Sequence, residues 1–155
     1  MQFLTTATLF AAAALAAPAP QTTDCPNPAH CGGSPPDPSK YENIDISNFY
    51  LRKNPGIQNA GFTLSGNNGT AKCEIGAVES LPSEVQICGD SDYRFGLFEA
   101  EGADQGLVGV RLYHQTGQFS GKTGEGAVPT YCHAGGNGPD DFVCSQVNAV
   151  TVVIQ

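Results

Sequence analysis

Gly61-Phe62-Thr63-Leu64-Ser65-Gly66-Asn67-Asn68-Gly69-Thr70-Ala71-Lys72-Cys73-Glu74-Ile75 is the stretch that decides the fold class. Two short runs, Gly61 to Leu64 and Ala71 to Ile75, flank Asn67-Asn68-Gly69. An Asn-Gly step tolerates the positive φ angles of a type I′ turn, so the stretch reads as an antiparallel β-hairpin. Working outward, the other apolar runs are equally short. Ile44, Ile46 and Phe49-Tyr50-Leu51 form one strand, ended by Asn54-Pro55-Gly56. Val85 and Ile87 alternate ahead of Cys88; Tyr93, Phe95 and Leu97 follow, then Val108, Val110 and Leu112. Phe142 to Ile154 is a last β-branched run that includes Val147, Val150 and Val152. Turn residues separate these runs at short intervals, the pattern of an antiparallel sandwich or barrel. No stretch holds a helical period, and no repeat of fixed length stands out.

Composition points the same way. The 155 residues include 19 glycines and 11 prolines, both of which weaken helices. Acidic side chains outnumber basic ones 15 to 7, for a net charge of -8. That balance argues against a nucleic-acid binder, which needs cations to displace counterions from phosphate. It equally argues against a polybasic membrane-surface protein. The apolar run from Ala7 to Ala17 is too short for a bilayer span, which takes roughly 20 residues. With small residues at Ala14 and Ala16 it fits a secretory signal peptide, cleaved after Ala16 or, as the close rival, Ala17. Ala17 to Ser39 then holds seven prolines and little that is bulky and apolar. The expected organisation is a signal peptide over residues 1–16, a Pro-rich flexible arm over 17–40 and one β domain over 41–155. The mature protein is expected to be soluble and extracellular.

Export makes bridges the natural reading of Cys25, Cys31, Cys73, Cys88, Cys132 and Cys144. Six cysteines allow 15 connectivities, and spacing gives only a slight preference for Cys73 with Cys88 and Cys132 with Cys144. Each would close a loop of about 15 residues, contributing roughly 3 kcal/mol. The candidate chemistry elsewhere is thin. Gly121-Lys122-Thr123 resembles the end of a phosphate loop, but Thr116 stands where its first glycine is required, so a flexible hairpin loop is expected. Gly136 and Gly138 would need a third glycine at Asp141 to make a dinucleotide fingerprint, so this is read as a tight loop between Cys132 and Cys144. His30 and His133 lack zinc-site spacing. Glu99, Glu101 and Asp104, and the pair Asp140-Asp141, read as solvating charges on exposed turns rather than as a glycosidase pair. No catalytic residue, metal or cofactor is expected. Asn68-Gly69-Thr70 is an N-glycosylation sequon placed in the expected turn.

The cysteine grid, Ile46-Ser47-Asn48-Phe49-Tyr50-Leu51-Arg52-Lys53, and above all Tyr131-Cys132-His133-Ala134-Gly135-Gly136-Asn137-Gly138-Pro139-Asp140-Asp141-Phe142-Val143-Cys144 resemble the Alternaria major allergen family of fungal secreted proteins. Cys88-Gly89-Asp90-Ser91-Asp92-Tyr93-Arg94-Phe95 is similar to its protein-elicitor branch, whose members trigger plant defence and cell death. The resemblance covers Tyr41 to Gln155. It implies a small antiparallel β-barrel with bridges Cys73–Cys88 and Cys132–Cys144, and no known catalytic activity. It further implies action in the plant apoplast and binding to host proteins, among them thaumatin-like pathogenesis-related proteins. Family dimers are held by an N-terminal cysteine at the place of Cys25. Here Cys31 stands six residues away, and a local Cys25–Cys31 bridge, which would leave a monomer, is expected over an intermolecular Cys25 bond that would give a homodimer. The leading expectation is therefore a secreted, non-enzymatic effector that works by protein recognition. The alternatives are a carrier of a small apolar ligand, its barrel lined by Phe62, Tyr93, Phe95 and Phe142, and a secreted hydrolase.

Overall fold

Side chains alternate across a strand at period two, so a run with every second residue apolar buries one face. The described residues form ten strands, several of them built on that rule: β1 (Glu42–Lys53), β2 (Ile57–Gly66), β3 (Gly69–Ile75), β4 (Gln86–Ile87), β5 (Tyr93–Glu99), β6 (Val108–Gly117), β7 (Ser120–Ala127), β8 (Thr130–Ala134), β9 (Phe142–Gln146) and β10 (Val150–Ile154). The structure, a computed structural model, describes residues 37, 39–100 and 108–155. The signal peptide with Ala16 and Ala17, Cys25, Cys31 and nearly all of the arm lie outside the described residues.

The strands form two antiparallel sheets. One has the order β3-β2-β1-β9-β8, with β10 also pairing β1; the other has the order β4-β5-β6-β7. Ile44, Ile46, Leu51, Phe62 and Leu64 from the first face Phe95, Leu97, Val110 and Leu112 from the second, all buried. Phe62 meets Phe95 edge-on with ring centroids 5.1 Å apart, and Phe49 stacks on Phe62 at 6.2 Å. Tyr93 is equally buried. Three of the four rings expected to line a ligand chamber are therefore core, packed against neighbours, and Phe142 packs against the edge of that core.

The fold is all-β, as expected, but it is not a closed barrel. No strand pairing joins β3 to β4. Instead the Cys73–Cys88 disulfide spans that edge, with both cysteines fully buried. At the opposite edge β7 lies against β10, and a backbone exchange joins them, Thr123 N to Gln155 O and Gln155 N to Thr123 O, each 3.1 Å. The molecule is thus a sandwich with one edge stapled covalently and the other tacked by two hydrogen bonds. The second disulfide, Cys132–Cys144, lies inside the β8–β9 hairpin, between residues directly paired across the ladder.

Strand β1 bends to serve two partners on one side. Its first half pairs β10 and its second half pairs β9. Between them Ser47 and Asn48 are both exposed, Asn48 lies at φ 55°, and the register against β2 shifts. This bulge frees backbone groups that Gln146 then satisfies: its Oε1 accepts from Phe49 N at 2.9 Å, and its Nε2 donates to Ile46 O at 2.9 Å and Asn148 O at 2.7 Å.

Three local expectations need correction. The turn of the deciding hairpin is Asn67-Asn68, between paired Gly66 and Gly69, and neither asparagine has positive φ. Gly69 alone takes it, at 104°, so a glycine bulge closes the turn in place of a type I′ geometry. Phe142 to Ile154 is two strands, broken around exposed Val147. Gly121-Lys122-Thr123 is not a flexible loop but part of β7. The glycines there admit a close neighbour: a Cβ at Gly124 would collide with Val153 O, and one at Gly126 would come within 2.9 Å of Val152 Cγ2. Gly124→Ala should therefore destabilise the domain by about 1–3 kcal/mol, because the obstacle is backbone and cannot rotate away. A lowered urea midpoint at unchanged slope would show it, whereas Gly76→Ala, in open space, should leave the midpoint nearly unmoved.

Candidate functional site

Three alternating runs end in polar residues at the same end of the sandwich. Ile46 and Ile44 lead to Glu42, Leu97 and Phe95 lead to Tyr93, and Val110 and Leu112 lead to His114. Period two turns all three inward, and Tyr93 sits directly across the ladder from His114. Glu42 is 2% exposed and takes bonds on both oxygens. Oε1 accepts from the Tyr93 hydroxyl and from Asn67 N at 2.7 Å, and Oε2 accepts from His114 Nδ1 at 2.6 Å. Asn68 closes the ring: its N–H donates to Tyr93 Oη at 3.3 Å, and its side-chain Nδ2 lies 3.0 Å from His114 Nε2. An amide nitrogen can only donate, so Nε2 accepts and the imidazole proton sits on Nδ1, facing Glu42. Gly66 makes room for this, since a Cβ there would come within 2.7 Å of Tyr93 Oη and Glu42 Oε1.

Burial works to raise the Glu42 pKa, but the bonds from Tyr93, Asn67 and His114 outweigh it and hold the carboxyl below its ordinary range. Burial first, and the bonded carboxylate second, push the Tyr93 phenol up to about 12. A Glu–His–Tyr chain resembles a proton relay in outline. Here every polar side-chain atom of the three is bonded within the protein, which leaves nothing aimed at a substrate. Sequence reading passed over this cluster. The signal that would have found it is phase: each polar residue continues an inward-facing alternation.

The other candidate residues are dispersed. Glu99 is exposed at the end of β5, while Glu101 and Asp104 lie outside the described residues. Asp140 is exposed, but Asp141 is not the solvating charge expected of it: it is fully buried. Its Oδ2 accepts from Arg52 at 3.2 Å and from Asn137 N at 2.9 Å, which folds the Gly135–Gly138 loop back onto β1. Those partners compensate Oδ2, while Oδ1 is buried with no hydrogen-bond partner among the described residues. His133 is exposed with its ring nitrogen against Ala134 O. Among the described residues no three of His, Cys, Asp and Glu stand together as a metal site would need. Asn68 is exposed at the hairpin turn.

The outer face of the second sheet carries an apolar-rimmed groove. Residues Ile87, Arg94, Tyr113 and Thr123 stand in one register line across β4, β5, β6 and β7. A groove of about 620 Å³ lies along this outer face, with Arg94, Tyr113 and Gln115 in it. Val85 and the tip of the β6–β7 hairpin rise on either side, Val85 at 50% exposure and Phe119 at 94%. Ile87, 57% exposed, flanks the same face. Large apolar side chains gathered around an Arg and a Tyr have the composition of a protein-contact centre.

Residues 46–144 match the sequence family described as Alternaria alternata allergen 1. Effector protein PevD1 of Verticillium dahliae is 42% identical over 151 residues, covering 96% of this chain and 88% of its own length. Major allergen Alt a 1 of Alternaria alternata is 32% identical over 157 residues, covering 95% of this chain and 91% of its own. A crystal structure of the Alternaria alternata major allergen superposes with a TM-score of 0.57 at 28% identity, covering 73% of this chain and 92% of that one.

Proposed function

The chain belongs to the Alternaria alternata allergen 1 family, and from that premise we propose that it is a secreted, non-enzymatic effector that recognises host plant proteins in the apoplast and triggers plant immunity or cell death. The observation that carries this reading is the 42% identity, over nearly the whole chain, with a protein named as an effector. The polar clusters support it from the other side: Glu42, Tyr93, His114 and Asp141 are spent on holding the fold. The groove between Val85 and Phe119 is the contact surface this reading favours, and a thaumatin-like pathogenesis-related protein is the partner class proposed for it.

Two experiments test the proposal. Purified protein infiltrated into leaves of several plants should produce necrosis or defence-gene induction; inert protein at micromolar dose would sink the elicitor claim. Immobilised protein should also retain a host protein from apoplastic fluid, and Phe119→Ala should weaken that capture. A fully exposed side chain contributes little to folding, so the variant should melt within about 0.5 kcal/mol of the parent. An aromatic anchor at an interface centre is worth about 2 kcal/mol or more, so affinity should fall roughly thirtyfold. Unchanged capture by Phe119→Ala would move the contact surface elsewhere.

A further inference from the structure

Asn68-Gly69-Thr70 is left wholly on the surface by the fold: all three residues are exposed, and a Cβ placed on Gly69 would meet nothing within 4 Å. The Asn68 carboxamide is also tied inward, with Nδ2 3.0 Å from His114 Nε2. We propose that Asn68 carries an N-linked glycan, and that its sugar-bearing amide remains the outer member of the Glu42–Tyr93–His114 cluster. The inference rests on the reading that the chain is exported. The transfer it invokes is the ordinary one: Nδ2 attacks the anomeric carbon of an oligosaccharide held on a lipid pyrophosphate. The N–C bond forms, the C–O bond to pyrophosphate breaks, Nδ2 gives up one proton, and the lipid pyrophosphate departs.

The geometry allows both roles at once. A planar carboxamide nitrogen has two N–H groups, and His114 uses one of them. Glycosylation replaces one N–H of this exposed residue and leaves a single N–H for the imidazole. It also removes a freedom. An unmodified Asn can exchange its oxygen and nitrogen by rotating the amide, which would present an acceptor to His114. A glycosylated Asn68 cannot make that rotation without driving the sugar into the His114 contact. The glycan therefore holds His114 as the Nδ1–H tautomer that donates to Glu42 Oε2. Modification on the outside thus selects one hydrogen-bond arrangement on the inside.

The full-length chain should be expressed in a filamentous fungus and recovered from the culture filtrate. Peptide N-glycanase should lower its intact mass by one N-glycan and leave the one-dalton mark of deamidation at Asn68. Thr70→Ser should keep the glycan; Thr70→Ala and Asn68→Gln should lose it. Of these two, Thr70→Ala keeps the His114 contact and Asn68→Gln does not, so Asn68→Gln should melt several degrees lower. Filtrate protein whose mass the enzyme leaves unchanged would overturn the site. Equal melting of Thr70→Ala and Asn68→Gln would overturn the link to the cluster. A chain found only inside the cell would count against export instead. Redirected by a foreign leader peptide, that chain should still lose one N-glycan to the enzyme, and an unchanged mass would again overturn the site.

Discussion

Glu42→Gln, in protein that carries a glycan on Asn68, should lower the stability of this domain by about 2–3 kcal/mol. The carboxylate accepts three hydrogen bonds, from Tyr93, Asn67 and His114. Glutamine offers one acceptor oxygen and one donor nitrogen. If the oxygen stays with Tyr93 and Asn67, the new N–H group faces the Nδ1 proton of His114. The imidazole must then move its proton to Nε2, where it meets the donor amide of Asn68. That N–H pair stays opposed where a glycan on Asn68 blocks rotation of its amide, and an unmet donor there costs its desolvation; without the glycan the amide turns its oxygen to His114 and relieves the clash. In a domain of this size the melting temperature should fall by roughly 10–20 °C. Calorimetry on the purified variant would measure it, and a fall of under about 2 °C would show that the cluster relaxes freely.

The same cluster contributes to both limbs of the stability–pH curve. Glu42 titrates below its ordinary 4.5 in the fold, so on acidification the unfolded chain takes up the proton first. Its contribution is present above about pH 4.5 and is lost as the pH falls through the folded value. Tyr93 shifts the other way, from 10.0 to about 12, so its contribution is present below pH 10 and is lost as the pH rises towards 12. Urea midpoints measured across pH should thus drop at both ends. Glu42→Gln should flatten the acid limb, and Tyr93→Phe the alkaline one.

Much of this was legible in the residues, and what was not has identifiable causes. Strands whose inner face is apolar show themselves by alternation, so Tyr93-Phe95-Leu97 and Val108-Val110-Leu112 mark β5 and β6 correctly. Even the bulge in β1 is written there, in the step of three from Ile46 to Phe49 that breaks the phase of two. Strand β7 is silent because its inward positions are Gly124 and Gly126, chosen for the approach of Val153 and Val152 and not for their own burial. Asp141 was misjudged, and Glu42 and His114 were passed over, for a related reason. Burial of a charge depends on partners 72 and 89 residues away, and no local pattern displays them. The distinction between a sandwich and a barrel is of the same kind. It turns on whether β3 and β4 share a ladder, and they share a disulfide instead.

That disulfide is where the second large effect should appear. Replacing Cys73 and Cys88 together with alanine should cost about 3 kcal/mol by released loop entropy alone, for a sequence separation of 15. The separation of 12 at Cys132–Cys144 predicts nearly the same entropic figure, because the dependence on length is logarithmic. The two bridges should nonetheless behave differently in the native protein. Cys132 and Cys144 sit in strands that already exchange ladder bonds, and Cys132 is partly exposed. Cys73 and Cys88 are fully buried and join an edge that no ladder holds. Thiol reductant should therefore reach Cys132–Cys144 in the folded state and leave the hairpin standing on its hydrogen bonds. Attack on Cys73–Cys88 must wait until the sandwich opens, and once cut that bridge leaves the edge with side-chain packing alone. Timed reduction followed by alkylation and mass analysis should show an early species modified at Cys132 and Cys144, and a late one modified at all four. Adding urea short of the unfolding midpoint should accelerate the second step far more than the first. Simultaneous loss of both bridges in native buffer, or Cys73–Cys88 falling first, would mean that the β3–β4 edge opens readily without global unfolding.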